Sequence, residues 1–168
     1  GSAEDYFSIQ LPDNMFIWAT MNSADQGVFP MDTAFKRRWN FNYIGIDDDE
    51  ITEDYTGTKV ENIKLRFTLN GNVIRWNVLR RAINAKLSSD TDDIRAHEDK
   101  LMGPFFVKCN QYTLDTSDVI STATENAEFL SVFCEKVLMY LFEDVARTRR
   151  DELFDGIKGK CNRYSEVR

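Results

Sequence analysis

A chain of 168 residues with 42% hydrophobic and 12% aromatic content can bury one core or two small ones. Its net charge of −7 argues against a role as the principal nucleic-acid binder, since sequence-independent binding neutralises phosphates with clustered Lys and Arg. No apolar run is long enough to cross a bilayer and no secretory signal is recognisable. Cys109, Cys134 and Cys161 are too widely spaced for a disulfide framework or a zinc motif, so a reducing, cytoplasmic setting is the simple reading.

Gly1-Ser2 reads as a cloning remnant and is left out of the fold argument. Residues 15–19 (MFIWA) form a short continuous apolar run, the pattern of a strand covered on both faces. The run gives way to hydroxyl, amide and carboxylate groups over residues 20–25 (TMNSAD). In open parallel sheets ligands sit beyond the carboxyl ends of strands, which makes this cluster, centred on Asn22, a candidate site. Residues 31–38 (MDTAFKRR) read as a helix with an early acid, Asp32, and three cations at its end, an arrangement that suits the macrodipole. Residues 39–44 (WNFNYI) alternate apolar with polar and read as a second strand. The connection is long enough for a right-handed β-α-β crossover.

Six acids between Asp47 and Asp54, followed by Tyr55-Thr56-Gly57-Thr58, place a boundary near residue 50, giving units at 1–50 and 51–168. The run Ile44-Gly45-Ile46-Asp47-Asp48-Asp49-Glu50 imitates the apolar-then-acidic form of a Mg²⁺-binding Walker B element, but it follows the arginine run and reads as a solvated acidic linker. Asn70-Gly71 between strand-like runs predicts a tight hairpin, with Val60, Ile63, Leu65 and Phe67 as its apolar positions. Asn77 caps a helix to about Leu87 whose apolar stripe is Leu79, Ala82, Ile83 and Leu87, with Arg80, Arg81 and Lys86 off it. A polar loop follows, and the lone His97 lies in a charged stretch with no second ligand nearby. Residues 100–107 (KLMGPFFV) read as a strand or turn packing Phe105 and Phe106. A long helix from about Glu125 to Val145 carries Leu130, Phe133, Val137, Leu138, Leu141 and Phe142 at helical spacing behind a capping box, Thr122 with Glu125. Arg80-Arg81 and residues 147–150 (RTRR) read as solvated helix faces, or as charges facing a nucleotide or another subunit.

The stretch FIWATMNSADQGVFPMDTAFKRRW resembles the region from sensor 1 to the arginine finger in AAA+ NTPases, specifically the McrB-like motor subunits of modification-dependent restriction systems. The resemblance rests on Met21-Asn22-Ser23-Ala24-Asp25, then Asp32, Ala34-Phe35, Lys36-Arg37-Arg38 and Trp39, in the family's order and spacing. It extends more weakly over residues 76–87 and 129–154, which are similar to the helical lid. The fold this implies is α/β plus α: the C-terminal portion of an AAA+ sheet, then a β-hairpin and a mainly helical lid.

The resemblance further implies that Asn22 contacts the γ-phosphate or orients the attacking water, and that Arg37 or Arg38 is a finger reaching a neighbouring subunit's site. Asp25 and Asp32 are assigned to local structure, as candidate ion-pair partners of the arginines. Taken singly, Asn22 also suits a strand cap, and Arg37 and Arg38 a surface helix end; the ordered match favours the functional reading. Where the family's sensor-2 region has Arg and His, this chain has Leu101 and Pro104, leaving Lys100 as the candidate cation. No G-x-x-x-x-G-K-[ST] occurs; Gly156 and Gly159, followed by Lys160 and Cys161, have the wrong spacing.

The expectation is therefore the C-terminal part of a motor that uses ATP or GTP with Mg²⁺, inactive alone. Its partners would be further copies in a ring, a nuclease subunit of the McrC type, and DNA held by domains outside this chain, with no membrane. The alternative is a non-catalytic oligomerisation or nuclease-docking module. Without neighbouring strands, Phe16 and Trp18 would be left uncovered.

Overall fold

The computed structural model describes residues 12–21, 31–89, 96–147, 149–156 and 161–168. The elements are α1 (Thr33–Lys36), β1 (Ile51–Glu53), β2 (Lys59–Glu61), β3 (Arg66–Leu69), β4 (Asn72–Arg75), α2 (Trp76–Ser88), α3 (Ala123–Val132) and α4 (Arg150–Leu153). Single 3₁₀ turns lie at Glu98–Lys100 and Tyr164–Glu166. The long helix begun by α3 continues through two π-type stretches, Phe133–Leu138 and Leu141–Val145, ending on an Ala146 N–H to Leu141 carbonyl bond of 2.8 Å.

Among the described residues, two antiparallel hairpins make up the sheet structure. β3 and β4 pair from Arg66 opposite Arg75 to Leu69 opposite Asn72, closed by Asn70 at φ 49° and Gly71 at φ 78°. Two successive positive φ values are what a two-residue turn matching strand twist requires, and Asn-Gly tolerates them best. β1 and β2 pair in register Ile51 opposite Glu61. Their loop is tied by Asp54, whose backbone N–H reaches the Thr58 carbonyl (3.0 Å) and whose carboxylate accepts from Thr56 and Thr58 backbone N–H groups (2.8 and 3.0 Å). Thus residues 59–61 pair backward with β1 rather than extending the β3 strand.

The core lies between the β3–β4 hairpin, α2 and the long helix. Ile63, Leu65, Phe67, Trp76, Met102, Val107, Phe129 and Val137 are at most 1% exposed. Phe129 is its centre: its ring lies 4.7 Å from Phe67 and meets Trp76 and Tyr112 edge-on at 6.3 and 5.5 Å.

The strands expected at residues 15–19 and 39–44 are not formed. A strand exists through its ladder, and among the described residues no chain segment pairs with either one. Phe16 and Trp18 are 75% and 87% exposed and, among the described residues, stack only on each other, 5.9 Å between centroids. The helix expected over 31–38 is a single turn, α1. Asn77 does not cap α2; Arg75 holds the N-cap position without a side-chain cap bond, and Asn77 lies inside the helix with Trp76, Arg80, Asn84 and Leu87 on its buried face. Ala82, placed on the apolar stripe, is exposed.

Candidate functional site

α1 begins at Asp32, whose carbonyl accepts from the Lys36 N–H (3.0 Å), and ends as Arg37 bonds back to the Thr33 carbonyl (3.1 Å) and Arg38 to that of Phe35 (3.0 Å). Shortening the last turn sets Arg37 and Arg38 beside the carbonyl end, where cations are favoured. Both side chains are exposed. Among the described residues neither forms an ion pair, and Asp32 makes no side-chain cap bond. Phe35 and Trp39 meet across the turn with their rings tilted by 38°, centroids 5.8 Å apart. Asn22 and Asp25 lie outside the described residues.

Lys100 ends the 3₁₀ turn at Glu98–Lys100, half-buried, and its carbonyl accepts from the Tyr140 hydroxyl (3.1 Å). The next residues form a turn rather than a strand. Met102 and Val107 are buried and Phe106 packs 5.0 Å from the Tyr140 ring, while Phe105 is 56% exposed.

The groups the structure does bring together surround Arg80, whose side chain is fully buried. Its Nε donates to Asn77 Oδ1 (2.9 Å), Nη1 to the Met102 carbonyl (2.6 Å), and Nη2 to Asp47 Oδ1 (2.7 Å) and to Glu50. Arg81 takes the same Glu50 carboxylate from the solvent side at 2.6 Å, and this raises its own pKa. Asn84 completes the network, with Nδ2 donating to the Met102 carbonyl (2.8 Å) and Oδ1 accepting from the Met102 N–H (2.9 Å).

Two readings are corrected here. Arg80 is not on a solvated face, and the acidic run is not wholly a solvated linker, because Glu50 is only 5% exposed and Asp47 is paired. Asp48 accepts from the Gly45 N–H at 2.6 Å, closing a tight turn. The acids therefore serve arginines and backbone amides. The signal that locates Arg80 is its i+3 spacing from Asn77 and i+4 spacing to Asn84, a polar stripe that an apolar-periodicity reading passes over.

Arg150 also departs from a solvated face. Its guanidinium lies 3.8 Å from the Phe142 ring centroid and its Nε donates to the Phe142 carbonyl (3.0 Å), while Arg149 pairs with Glu152 at 2.9 Å. Together with Arg147, Asp151, Cys161 and Asn162 these side chains line a cavity of about 220 Å³. Among the described residues no group of three His, Cys, Asp or Glu is placed to hold a metal, and no helix is long and apolar enough to cross a membrane.

No protein-family profile matches this chain, and no solved structure matches it. The chain is similar to the "Type II restriction enzyme BsuMI component YdiS" of Bacillus subtilis (strain 168), 41% identical over 137 residues. The match covers 82% of this chain and 33% of that protein, so the chain spans about a third of the length of the curated relative it matches.

Proposed function

We propose that this chain is the C-terminal part of an AAA+ nucleoside-triphosphatase of the McrB-like kind, working in a DNA restriction system. The observation that carries the reading is the Arg37–Arg38 pair, exposed at the end of α1 and without an ion pair among the described residues. A cation meant to meet phosphate on another subunit must be left unsatisfied in its own, whereas a structural arginine is spent as Arg80 is. The similarity to a restriction-enzyme component supports the same setting.

In this reading Arg37 or Arg38 stabilises the charge that spreads over the transferring phosphoryl group, an effect of roughly 10³ to 10⁵ in rate in other NTPases. Asn22 orients the attacking water or contacts the γ-phosphate, and Lys100 is the remaining lid cation. The described residues fit only the cationic part of this chemistry. They offer no phosphate cradle and no metal-holding group of carboxylates, so ATP or GTP and its Mg²⁺ would be bound mainly by another segment. Because a finger acts in trans, the active species is a ring of several copies. A nuclease subunit of the McrC type and DNA-reading domains elsewhere would complete the system.

The test is turnover by the full-length protein. Replacing Arg38 or Arg37 with Ala should abolish hydrolysis while nucleotide binding stays intact. Unchanged turnover in both variants would sink the catalytic reading. It would favour a non-catalytic oligomerisation or nuclease-docking module, a second reading motivated by the exposed Phe16, Trp18, Tyr43 and Ile44 in the flanking segments.

A further inference from the structure

Among the described residues the Arg80 network is the buried side-chain link between two parts of the chain, alongside the exposed Asn62, whose backbone N–H donates to the Glu50 carbonyl (2.9 Å) and whose Nδ2 donates to the Asp49 carbonyl (2.7 Å). Asp47 and Glu50 follow Arg38 after a stretch of only eight residues, 39–46, while Arg80 sits at the middle of α2, among the elements that build the core. Along residues 39–46 the side chains of Phe41, Tyr43 and Ile44 are 58%, 67% and 65% exposed, so hydrophobic burial does not hold this segment down. Its other described side-chain ties are the exposed Tyr43 hydroxyl to Glu98 and two local ones, the Trp39 ring on Phe35 and the Gly45 N–H on the Asp48 carboxylate.

Arg80 by contrast is committed on all sides, with four donated bonds from a fully buried guanidinium. Burying a charge is costly unless it is paired and fully hydrogen-bonded, and a planar five-donor fork meets that condition where an ammonium cannot. Two of its four bonds are to the chain just after the proposed finger, and two hold the guanidinium against α2 and Met102. We infer that Arg80 is a positioning residue, fixing through Asp47 and Glu50 the segment that carries Arg37 and Arg38 onto the helical unit. The role in catalysis rests on the finger reading above; the anchoring itself does not.

When this anchor is removed, Asn77 Oδ1, in a residue only 6% exposed, loses its donor, while the other partners keep a donor. Glu50 keeps Arg81, the Met102 carbonyl keeps Asn84, and Asp47, 44% exposed, turns to water. Arg80→Met, of similar length and apolar, therefore tests the anchor with one unmet acceptor, Asn77, left in the fold, and the carboxylate variants below keep that bond in place.

The first readout is amide hydrogen exchange on the 168-residue chain. In Arg80→Met, residues 45–50 should exchange at least roughly tenfold faster, while β3 and α3 keep their wild-type protection. Glu50→Gln combined with Asp47→Asn loosens the anchor from the other side and should give the same pattern. Wild-type protection at 45–50 in either variant, with a protected core, would overturn the anchor.

The second readout is turnover by the full-length protein. Arg80→Met should lower kcat by roughly tenfold or more with KM for nucleotide unchanged, and Arg80→Lys, which reaches one carboxylate, should recover part of it. If Arg38→Ala abolishes turnover and Arg80→Met leaves kcat intact, the positioning role is wrong although the finger reading holds. If Arg38→Ala is without effect, the finger reading fails and with it the catalytic role of Arg80, whereas the exchange pattern still establishes or refutes the anchor.

Discussion

Asn126, in the first turn of α3, completes the outer edge of β3 at Thr68: its Oδ1 accepts from the Thr68 N–H (2.8 Å) and its Nδ2 donates to the Thr68 carbonyl (2.9 Å). A side-chain amide thus does what a neighbouring strand would do, and it ties the hairpin to the long helix over a separation of 58 residues. On the same edge Arg66 bonds to the Asp118 carbonyl (2.8 Å) and accepts from Ile120 (2.9 Å), so β3 is covered along its length.

Asn126→Ala should therefore lower unfolding free energy by about 1 to 3 kcal/mol, two net hydrogen bonds with a part-buried backbone pair left unmet. Asn126→Asp keeps an acceptor for the Thr68 N–H but faces its carbonyl with negative charge, and should cost at least as much near neutral pH. Urea denaturation checks both; equal stability of the alanine variant would mean that water replaces the amide.

The hairpin turn gives a second prediction with an internal control. Gly71 has φ 78° and no atom within 4 Å of where a Cβ would stand, so Gly71→Ala meets no clash and pays only for the left-handed backbone, about 1 to 2 kcal/mol. Gly103 has equally open surroundings without a positive φ, and Gly103→Ala should be neutral or slightly stabilising. A similar cost at both sites would refute the backbone account.

Those two sites also mark where the fold was legible. Asn70-Gly71 announces its turn because the requirement is local, and residues 125–145 announce a helix because Leu130, Phe133, Val137 and Leu141 repeat an apolar face, though Phe129, the fully buried centre of the core, was not on that stripe. α2 was found, yet its buried face was misassigned, since Asn77, Arg80 and Asn84 enter the interior as a hydrogen-bonded set rather than as apolar groups. The β1–β2 hairpin escaped because its strands are three residues long and its loop is held by the Asp54 carboxylate, not by a two-residue turn. The apolar runs around Phe16 and Ile44 fix only a preference for extended, covered chain, and among the described residues nothing covers them. Of the candidate site, the arginine pair stands as an expectation from its motif; Arg80 was not legible, because no single residue type distinguishes a buried arginine from a solvated one.

Thiol chemistry supplies a third prediction. Burial pushes the Cys109 thiol up to about 11 and also raises that of Cys161, which is 2% exposed. The thiolate is the nucleophile, so at pH 7.5 Cys109 should be alkylated far more slowly than a free cysteine, and denaturant should abolish the difference. Peptide mass spectrometry after brief iodoacetamide treatment measures it. Rapid native labelling at Cys109 would mean that the turn at Val107, whose carbonyl lies 3.4 Å from its sulfur, opens readily.

The cap of the long helix makes stability depend on pH in a definite direction. Thr122 Oγ1 accepts from the Glu125 N–H (3.1 Å), while the Glu125 carboxylate accepts from the Thr113 N–H (3.1 Å) and the Thr122 hydroxyl (3.0 Å). Instead of reaching back to the Thr122 backbone, as a capping box does, Glu125 staples the preceding loop to the helix start. The Thr113 backbone bond is the main reason its pKa falls below the ordinary glutamate value, followed by the side chains of Thr113 and Thr122. A carboxylate with a lowered folded pKa contributes stability that is fully present above its unfolded value and is lost as pH falls through the folded one. The melting temperature of wild type should exceed that of Glu125→Gln at pH 7, and the gap should close on acidification below the ordinary glutamate range. A gap that persists unchanged at the acid end would mean that Glu125 acts through packing rather than through its charge.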